Sequence, residues 1–149
     1  NGGMEKVMWE KIMETITYIK SKGLRIDAIG WQAHLRTNSL SNEDLEYLDY
    51  LIEWAHKNNL EFHITELNLW VKEENPNLDS VQNIQSELYE KIINKMISKK
   101  NNGLVALNFW GMKDRKGAHK LNRNILSIYD QSLIPNPALN TIKRTLKSN

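Results

Sequence analysis

Three short stretches of this sequence carry side chains fit for chemistry. IDAIGWQAHL, Ile26 to Leu35, closes with Gln32 and His34. FHITELNLW, Phe62 to Trp70, sets Glu66 and Asn68 near its far end. LVALNFW, Leu104 to Trp110, ends with Asn108 and Trp110. A carboxylate in an apolar run is costly to bury unless something neutralises or uses it, so Glu66 needs a purpose. Amides and an imidazole hydrogen-bond hydroxyl groups, an indole offers a flat face, and a carboxylate serves as nucleophile, acid or base. Such a set suits a sugar or another small polar ligand. Each residue alone has a plainer reading: Glu66 as a structural acceptor, His34 as a core histidine, Trp110 as packing. The weight lies in the repetition, at the same end of three successive apolar segments.

The elements that must position these residues follow from periodicity. Met4–Lys22 carries Val7, Met8, Ile12, Thr15, Ile16 and Ile19 at helical steps, and Gly23 reads as its C-cap. RIDAIGWQAHL reads as a strand. Ser41 with Asp44 fits a capping box, and Leu45, Leu48, Ile52 and Ala55 give the helix behind it. The Glu66 strand follows, then a polar loop with Pro76. A helix from about Asp79 presents Val81, Ile84, Leu88, Ile92 and Met96, and stops before Gly103. The Trp110 strand leads into a long loop, Gly111 to Gln131. Asn136 and Pro137 then open a last helix as N-cap and N1. KSKGLRI, HKNNLEF and KKNNGLV join helix to strand in the same way three times. The order α-β-α-β-α-β-loop-α thus predicts an α/β fold, with a parallel sheet covered by helices.

Two architectures fit: a doubly wound sheet, or a section of a (β/α)₈ barrel. The phosphate fingerprints G-x-G-x-x-G and G-x-x-x-x-G-K-[ST] are both absent. A whole barrel takes about 250 residues, so this chain supplies about three of eight strands, with four helices. In both folds function gathers at the carboxyl ends of the strands. Simple alternation groups Gly30, Gln32 and His34 on one face, then Ile64, Glu66 and Asn68, then Ala106, Asn108 and Trp110.

The bulk numbers set the frame. The chain has 149 residues, one domain or part of a larger one, and 40% of them are apolar. Lys and Arg number 20 against 18 Asp and Glu, and no basic face interleaved with aromatics stands out, which argues against nucleic acid. Without cysteine there is neither a disulfide framework nor a thiolate metal site. No apolar run approaches the ~20 residues of a membrane span. The opening NGGMEKVMWE resembles neither a signal peptide nor a natural start, so the chain is expected to begin within a loop of something longer. Core filling accounts for most of the five tryptophans.

At these residues the sequence resembles glycoside hydrolase family 10, the endo-β-1,4-xylanases. IDAIGWQAHL resembles that family's sixth-strand motif ending in Gln-x-His. ITELN resembles its seventh-strand Ile-Thr-Glu-Leu-Asp, and LNFWGMKDRKG its eighth-strand Trp-Gly followed by Asp. IYDQSLIPNPALNTI resembles the phrase that leads into the family's last helix. The resemblance covers residues 1–149 as the C-terminal part of one catalytic barrel, from helix five to helix eight. It implies Glu66 as the nucleophile of a retaining glycosidase, His34 as the residue that orients it, and Gln32, Trp110 and Asn108 as sugar contacts. No metal or organic cofactor is implied. The family also implies a secreted or periplasmic setting.

The departures from the pattern have consequences. Asn68 stands where the family has Asp, so it supports His34 without a charge to hold imidazolium. The loop DRKGAHKLN lacks the family's second Trp. The acid/base Glu of the family's Asn-Glu pair has no counterpart, because Asn42-Glu43 reads as capping, and Glu73, Glu74 and Asp114 fall in loops. The chain therefore reads as the C-terminal portion of a xylanase-like hydrolase, inactive alone and partnered by β-1,4-xylan and the N-terminal half of the barrel. The alternative is a non-catalytic half-barrel that binds β-linked oligosaccharide, or self-assembles as a homo-oligomeric scaffold. A doubly wound regulatory domain is a third reading, and it lacks the acidic site at the first strand's end that it would need.

Overall fold

The computed structural model describes residues 5–71, 77–118 and 123–148. Among these residues four helices and six strands follow one another: α1 Lys6–Ser21, β1 Ala28–Trp31, β2 His34–Arg36, α2 Asn42–Lys57, β3 Glu61–Val71, α3 Leu78–Lys99, β4 Val105–Phe109, β5 Arg115–Ala118, β6 Arg123–Leu126 and α4 Pro137–Lys147. β3 is the centre of the sheet. It pairs in parallel with β1, β2 and β4, as alternating helices and strands require. The segment 72–76, with Lys72, Glu73, Glu74 and Pro76, lies outside the described residues.

The helix ends show why the helices sit where they do. Ser41 Oγ accepts from the Asp44 N–H at 3.2 Å, and Asp44 Oδ2 accepts from the Ser41 N–H at 2.9 Å, closing a reciprocal capping box. Asn77 caps α3 through the Ser80 N–H. Gly23, with φ +72°, ends the turn after α1 in a conformation that favours glycine. Gly103 has a different reason. A Cβ there would lie 2.5–2.8 Å from the His56 ring, so glycine is what lets the β4 entry approach α2. Asn136 occupies the N-cap position of α4, but its side chain makes no cap bond. It donates instead to Asp114 Oδ1 and the Ser127 carbonyl, each at 3.1 Å, and accepts from Gln82.

The core lies between the sheet and α1–α4. Trp9, Trp31, Phe62, Ile64, Leu67, Leu69 and Ile92 are fully buried there, and Trp9 packs on Phe62 with ring centroids 6.4 Å apart. Tyr89 and Gln85 of α3 are buried with them, Gln85 Nε2 donating to Tyr89 Oη and to the Ser127 carbonyl.

Two segments depart from the sequence reading. The first strand is two strands, broken after Trp31, because Ala33 sits in the left-handed region at φ 56°. The stretch Gly111 to Gln131 is not a plain loop. It holds β5 and β6, and β6 runs antiparallel to the far half of β3, Leu69 opposite Leu126. Its charged and small residues hide the strand alternation, and the pairing depends on the extended length of β3.

Candidate active site

The site forms where three parallel strands end, and two backbone irregularities build it. Gly30, His63 and Ala106 are aligned across β1, β3 and β4, as are Trp31, Ile64 and Leu107. Trp31 and Ile64 are buried in the core, so the first row faces away from the helices. A Cβ on Gly30 would meet Thr65 Cγ2 at 3.0 Å, which places Thr65 on this open face too.

Strict alternation would then send Glu66 into the core beside Ile64. It does not go there, because the register slips: Ile64 faces Leu107 but Leu67 faces Phe109, so β3 carries one extra residue. This β-bulge returns Leu67 to the core and leaves Thr65 and Glu66 together on the open face. Ile64 thus does not share a face with Glu66 and Asn68, contrary to simple alternation. The ladder gap at the bulge is filled by side chains. Asn108 Nδ2 donates to the Ile64 carbonyl at 3.3 Å, and Thr65 Oγ1 donates to the Trp31 carbonyl at 3.3 Å.

The second irregularity is the left-handed Ala33, a conformation that costs a non-glycine residue about 1–2 kcal/mol. Such outliers persist where surrounding contacts hold them. Ala33 is fully buried, and its carbonyl accepts from the Asn68 N–H at 3.4 Å. The kink delivers Gln32 and His34 from either side of it to the same carboxylate. His34 Nε2 lies 3.2 Å from Glu66 Oε2. Gln32 Nε2 lies 3.5 Å from Glu66 Oε1, at the long limit of a hydrogen bond. Behind the histidine, Nδ1 lies 3.0 Å from Asn68 Oδ1, and His34 and Asn68 are direct register partners. Asn68 is completely buried, whereas the Glu66 side chain is a quarter exposed.

Two indoles frame the histidine. Trp110, just past β4, presents its ring edge-on at 6.4 Å and is itself 45% exposed. Its backbone N–H donates to the Leu67 carbonyl at 3.0 Å, which ties the end of β4 to the bulge. Trp70 lies against the other side of His34, with centroids 5.3 Å apart. Sequence reasoning missed Trp70 as part of the site. Its place two residues beyond Asn68 on one strand was the signal that could have found it.

Glu66, His34, Asn68, Gln32 and Trp110 are therefore brought together. Asn108 stands beside them as a brace of the bulge, with its side chain exposed toward the open face. Asp114 is not in the cluster. Its Oδ1 accepts from the Ser127 N–H at 2.7 Å and from Asn136 at 3.1 Å, and burial pushes its carboxyl above the ordinary aspartate range against the pull of those two donors. It fastens the segment after Trp110 to the start of α4.

Comparison with known proteins fits this geometry. The family model for glycosyl hydrolase family 10 matches residues 3–145. The chain belongs to that family. Among solved structures, native xylanase 10B from Thermotoga maritima superposes with TM-score 0.77 at 24% identity, over 92% of this chain and 41% of that one. Xylanase 10B from Thermotoga petrophila RKU-1, in complex with xylobiose, gives TM-score 0.77 at 25% identity with the same coverage. The endo-1,4-beta-xylanase XylE of Penicillium canescens gives TM-score 0.78 at 16% identity, over 93% of this chain and 41% of that one. No curated protein matches the sequence. The fold is a section of a (β/α)₈ barrel, and the chain spans about two fifths of the xylanases it resembles.

Proposed function

We propose that the chain is the C-terminal portion of the catalytic barrel of a retaining β-1,4-xylanase, with Glu66 as its nucleophile. Glu66 attacks the anomeric carbon as the bond to the leaving sugar breaks, and water later hydrolyses the glycosyl-enzyme with net retention. His34 orients the carboxylate through Oε2, Asn68 supports His34, and Gln32, Asn108 and Trp110 face the sugar. The observation that carries this reading is the Glu66 carboxylate held between Gln32 and His34 at the mouth of three parallel strands, in a chain of this family. The xylobiose bound to the Thermotoga petrophila neighbour supports β-1,4-linked xylose as the ligand class.

The proton donor is expected from the other part of the barrel. A retaining mechanism needs a second carboxyl about 5–5.5 Å from the first. Among the described residues, Glu61 is paired with His63 at 2.8 Å and Asp114 is tied to Ser127 and Asn136. The chain alone is therefore expected not to cleave xylan, and to gain activity when mixed with an N-terminal half of a family barrel, read as reducing sugar released. In that mixture Glu66→Ala should lower the rate by orders of magnitude. An unchanged rate removes the nucleophile assignment, and activity from the chain alone shows that the acid/base lies within it.

One observation favours a second reading. Among the described residues β1 and β4 each pair on one side only, and Ile12, Ile16, Ile19 and Ile29 line an open groove at the β1 edge. Open edges and apolar surface recruit partners. The missing half-barrel or a second copy of this chain would cover them, leaving an oligosaccharide-binding or scaffolding half-barrel. Light scattering that shows a monomer at high dilution rejects the second copy. Xylo-oligosaccharide binding followed by Trp fluorescence, and lost in Trp110→Ala, separates binding from scaffolding.

A further inference from the structure

The hydrogen-bond inventory around His34 does not close as the groups stand. Asn68 Oδ1 only accepts, so His34 Nδ1 beside it must carry a proton. In a neutral ring Nε2 is then bare, and it faces a carboxylate oxygen of Glu66 at 3.2 Å. Two acceptors cannot share that contact without an additional proton on the pair. Meanwhile Asn68 Nδ2, a strong donor inside a residue of zero exposure, has no hydrogen-bond partner among the described residues. One side chain thus holds an idle donor and creates a conflict with its acceptor.

A half-turn of the amide removes both problems, because its oxygen and nitrogen occupy nearly the same volume. Nδ2 then donates to His34 Nδ1, Nε2 carries the ring's one proton, and that proton is donated to Glu66 Oε2. Every contact has one donor and one acceptor, with Glu66 ionised and His34 neutral. The turn leaves Oδ1 buried in place of Nδ2, and an unpaired carbonyl oxygen is tolerated better than an unpaired N–H. Among the described residues, the groups in contact with His34 are Glu66, Asn68, Trp70 and Trp110, and none of these is a cation.

We propose that Asn68 is a positioning residue that selects the Nε2–H tautomer of His34 by donating to its Nδ1. This lets a neutral histidine hold the Glu66 carboxylate. The proposal deepens the site reading given above and rests on it for its bearing on catalysis. An aspartate at this position has no such donor. It would force a proton onto Nδ1 and require imidazolium to keep the bond to Glu66.

The test is long-range ¹H–¹⁵N correlation spectroscopy of the histidine rings in the full 149-residue chain at neutral pH. The His34 signals are identified by their loss in His34→Gln. The expected pattern is one protonated nitrogen, Nε2. It should persist in Glu66→Gln, where the new amide oxygen takes the place of the carboxylate oxygen. Asn68→Asp should move the pattern to two protonated nitrogens. If that variant does not fold, Glu66→Gln decides alone. A protonated Nδ1 in the parent chain or in Glu66→Gln, with or without a proton on Nε2, overturns the proposal. The readout needs no turnover, so its failure leaves the nucleophile assignment standing, and failure of that assignment leaves the tautomer result standing.

Discussion

Asp114 offers a way to measure how firmly the Trp110 end of the third strand is fastened. Its Oδ1 holds two donors, the Ser127 N–H at 2.7 Å and Asn136 Nδ2 at 3.1 Å. Asn136 has a second acceptor in the Ser127 carbonyl, but the Ser127 N–H has no such alternative among the described residues, and Ser127 is only 2% exposed. Asp114→Ala should therefore cost about 1–3 kcal/mol for the orphaned buried N–H, lowering Tm by roughly 2–4 °C per kcal/mol in a chain of this size. Asp114→Asn is a different perturbation. An amide oxygen at Oδ1 accepts from the same two donors while the half-buried charge disappears, so the change should stay within about 1 kcal/mol. The sign of the pH dependence follows from the same site. Burial raises the folded-state carboxyl above its unfolded value, so the folded state binds the proton more tightly. This group's contribution to stability rises as pH falls through the raised value, and the slope vanishes in Asp114→Asn. Urea unfolding of the three proteins between acid and neutral pH measures all of this. Equal destabilisation by Asn and Ala, or a slope unchanged in Asp114→Asn, would refute the account.

Other positions give independent checks. Gly103→Ala drives a Cβ to within 2.5 Å of His56 Cδ2 and strains the His56 Nε2 bond to the Leu104 carbonyl; the overpacking should cost about 1–3 kcal/mol, and a thermal melt no lower than the parent's contradicts the packing role of the glycine. Ser41→Ala removes half of the capping box on α2 and should cost about 1 kcal/mol, read from the urea midpoint; no shift would mean the box adds nothing. Tyr89 is buried without exposure, and burial raises its hydroxyl far above an ordinary tyrosine. It should stay un-ionised until the chain unfolds, costing stability once pH passes the unfolded value of about 10. An ultraviolet titration in which all five tyrosines ionise before the circular dichroism changes would contradict that.

The helices were legible because their signals are local. The stripe Leu45, Leu48, Ile52, Ala55 and the Ser41–Asp44 box are contained in one stretch of chain, and both stand in the structure. Parallel pairing was legible from the three repeated helix-to-strand junctions. The features that aim the site were not. Nothing in Ile64-Thr65-Glu66-Leu67 announces an extra residue, because a bulge is a relation between two strands, and the partner that exposes it is Leu107 to Phe109. Ala33 carries no glycine-like signal for its left-handed backbone, and the Asn68 N–H that meets its carbonyl lies far along the chain. Asn136 stands at the N-cap that the sequence predicts, but Asp114, Ser127 and Gln82 claim its side chain from far along the chain.

These illegible features share a cause that bears on the proposed chemistry. A regular strand can point Thr65 or Glu66 at the open face, but not both. The bulge allows both, and its cost in ladder bonds is met by Asn108 and Thr65, which satisfy the Ile64 and Trp31 carbonyls. Asn108, which resembles a ligand contact from sequence, is thus committed in part, with Thr65, to the backbone that carries Glu66. Glu66 is left unequally held, with Oε2 3.2 Å from His34 and Oε1 3.5 Å from Gln32. A nucleophile needs one oxygen anchored and the other free to bond carbon. Oε1 is the less tightly held of the two, and under the proposed mechanism it is the oxygen that would bond carbon.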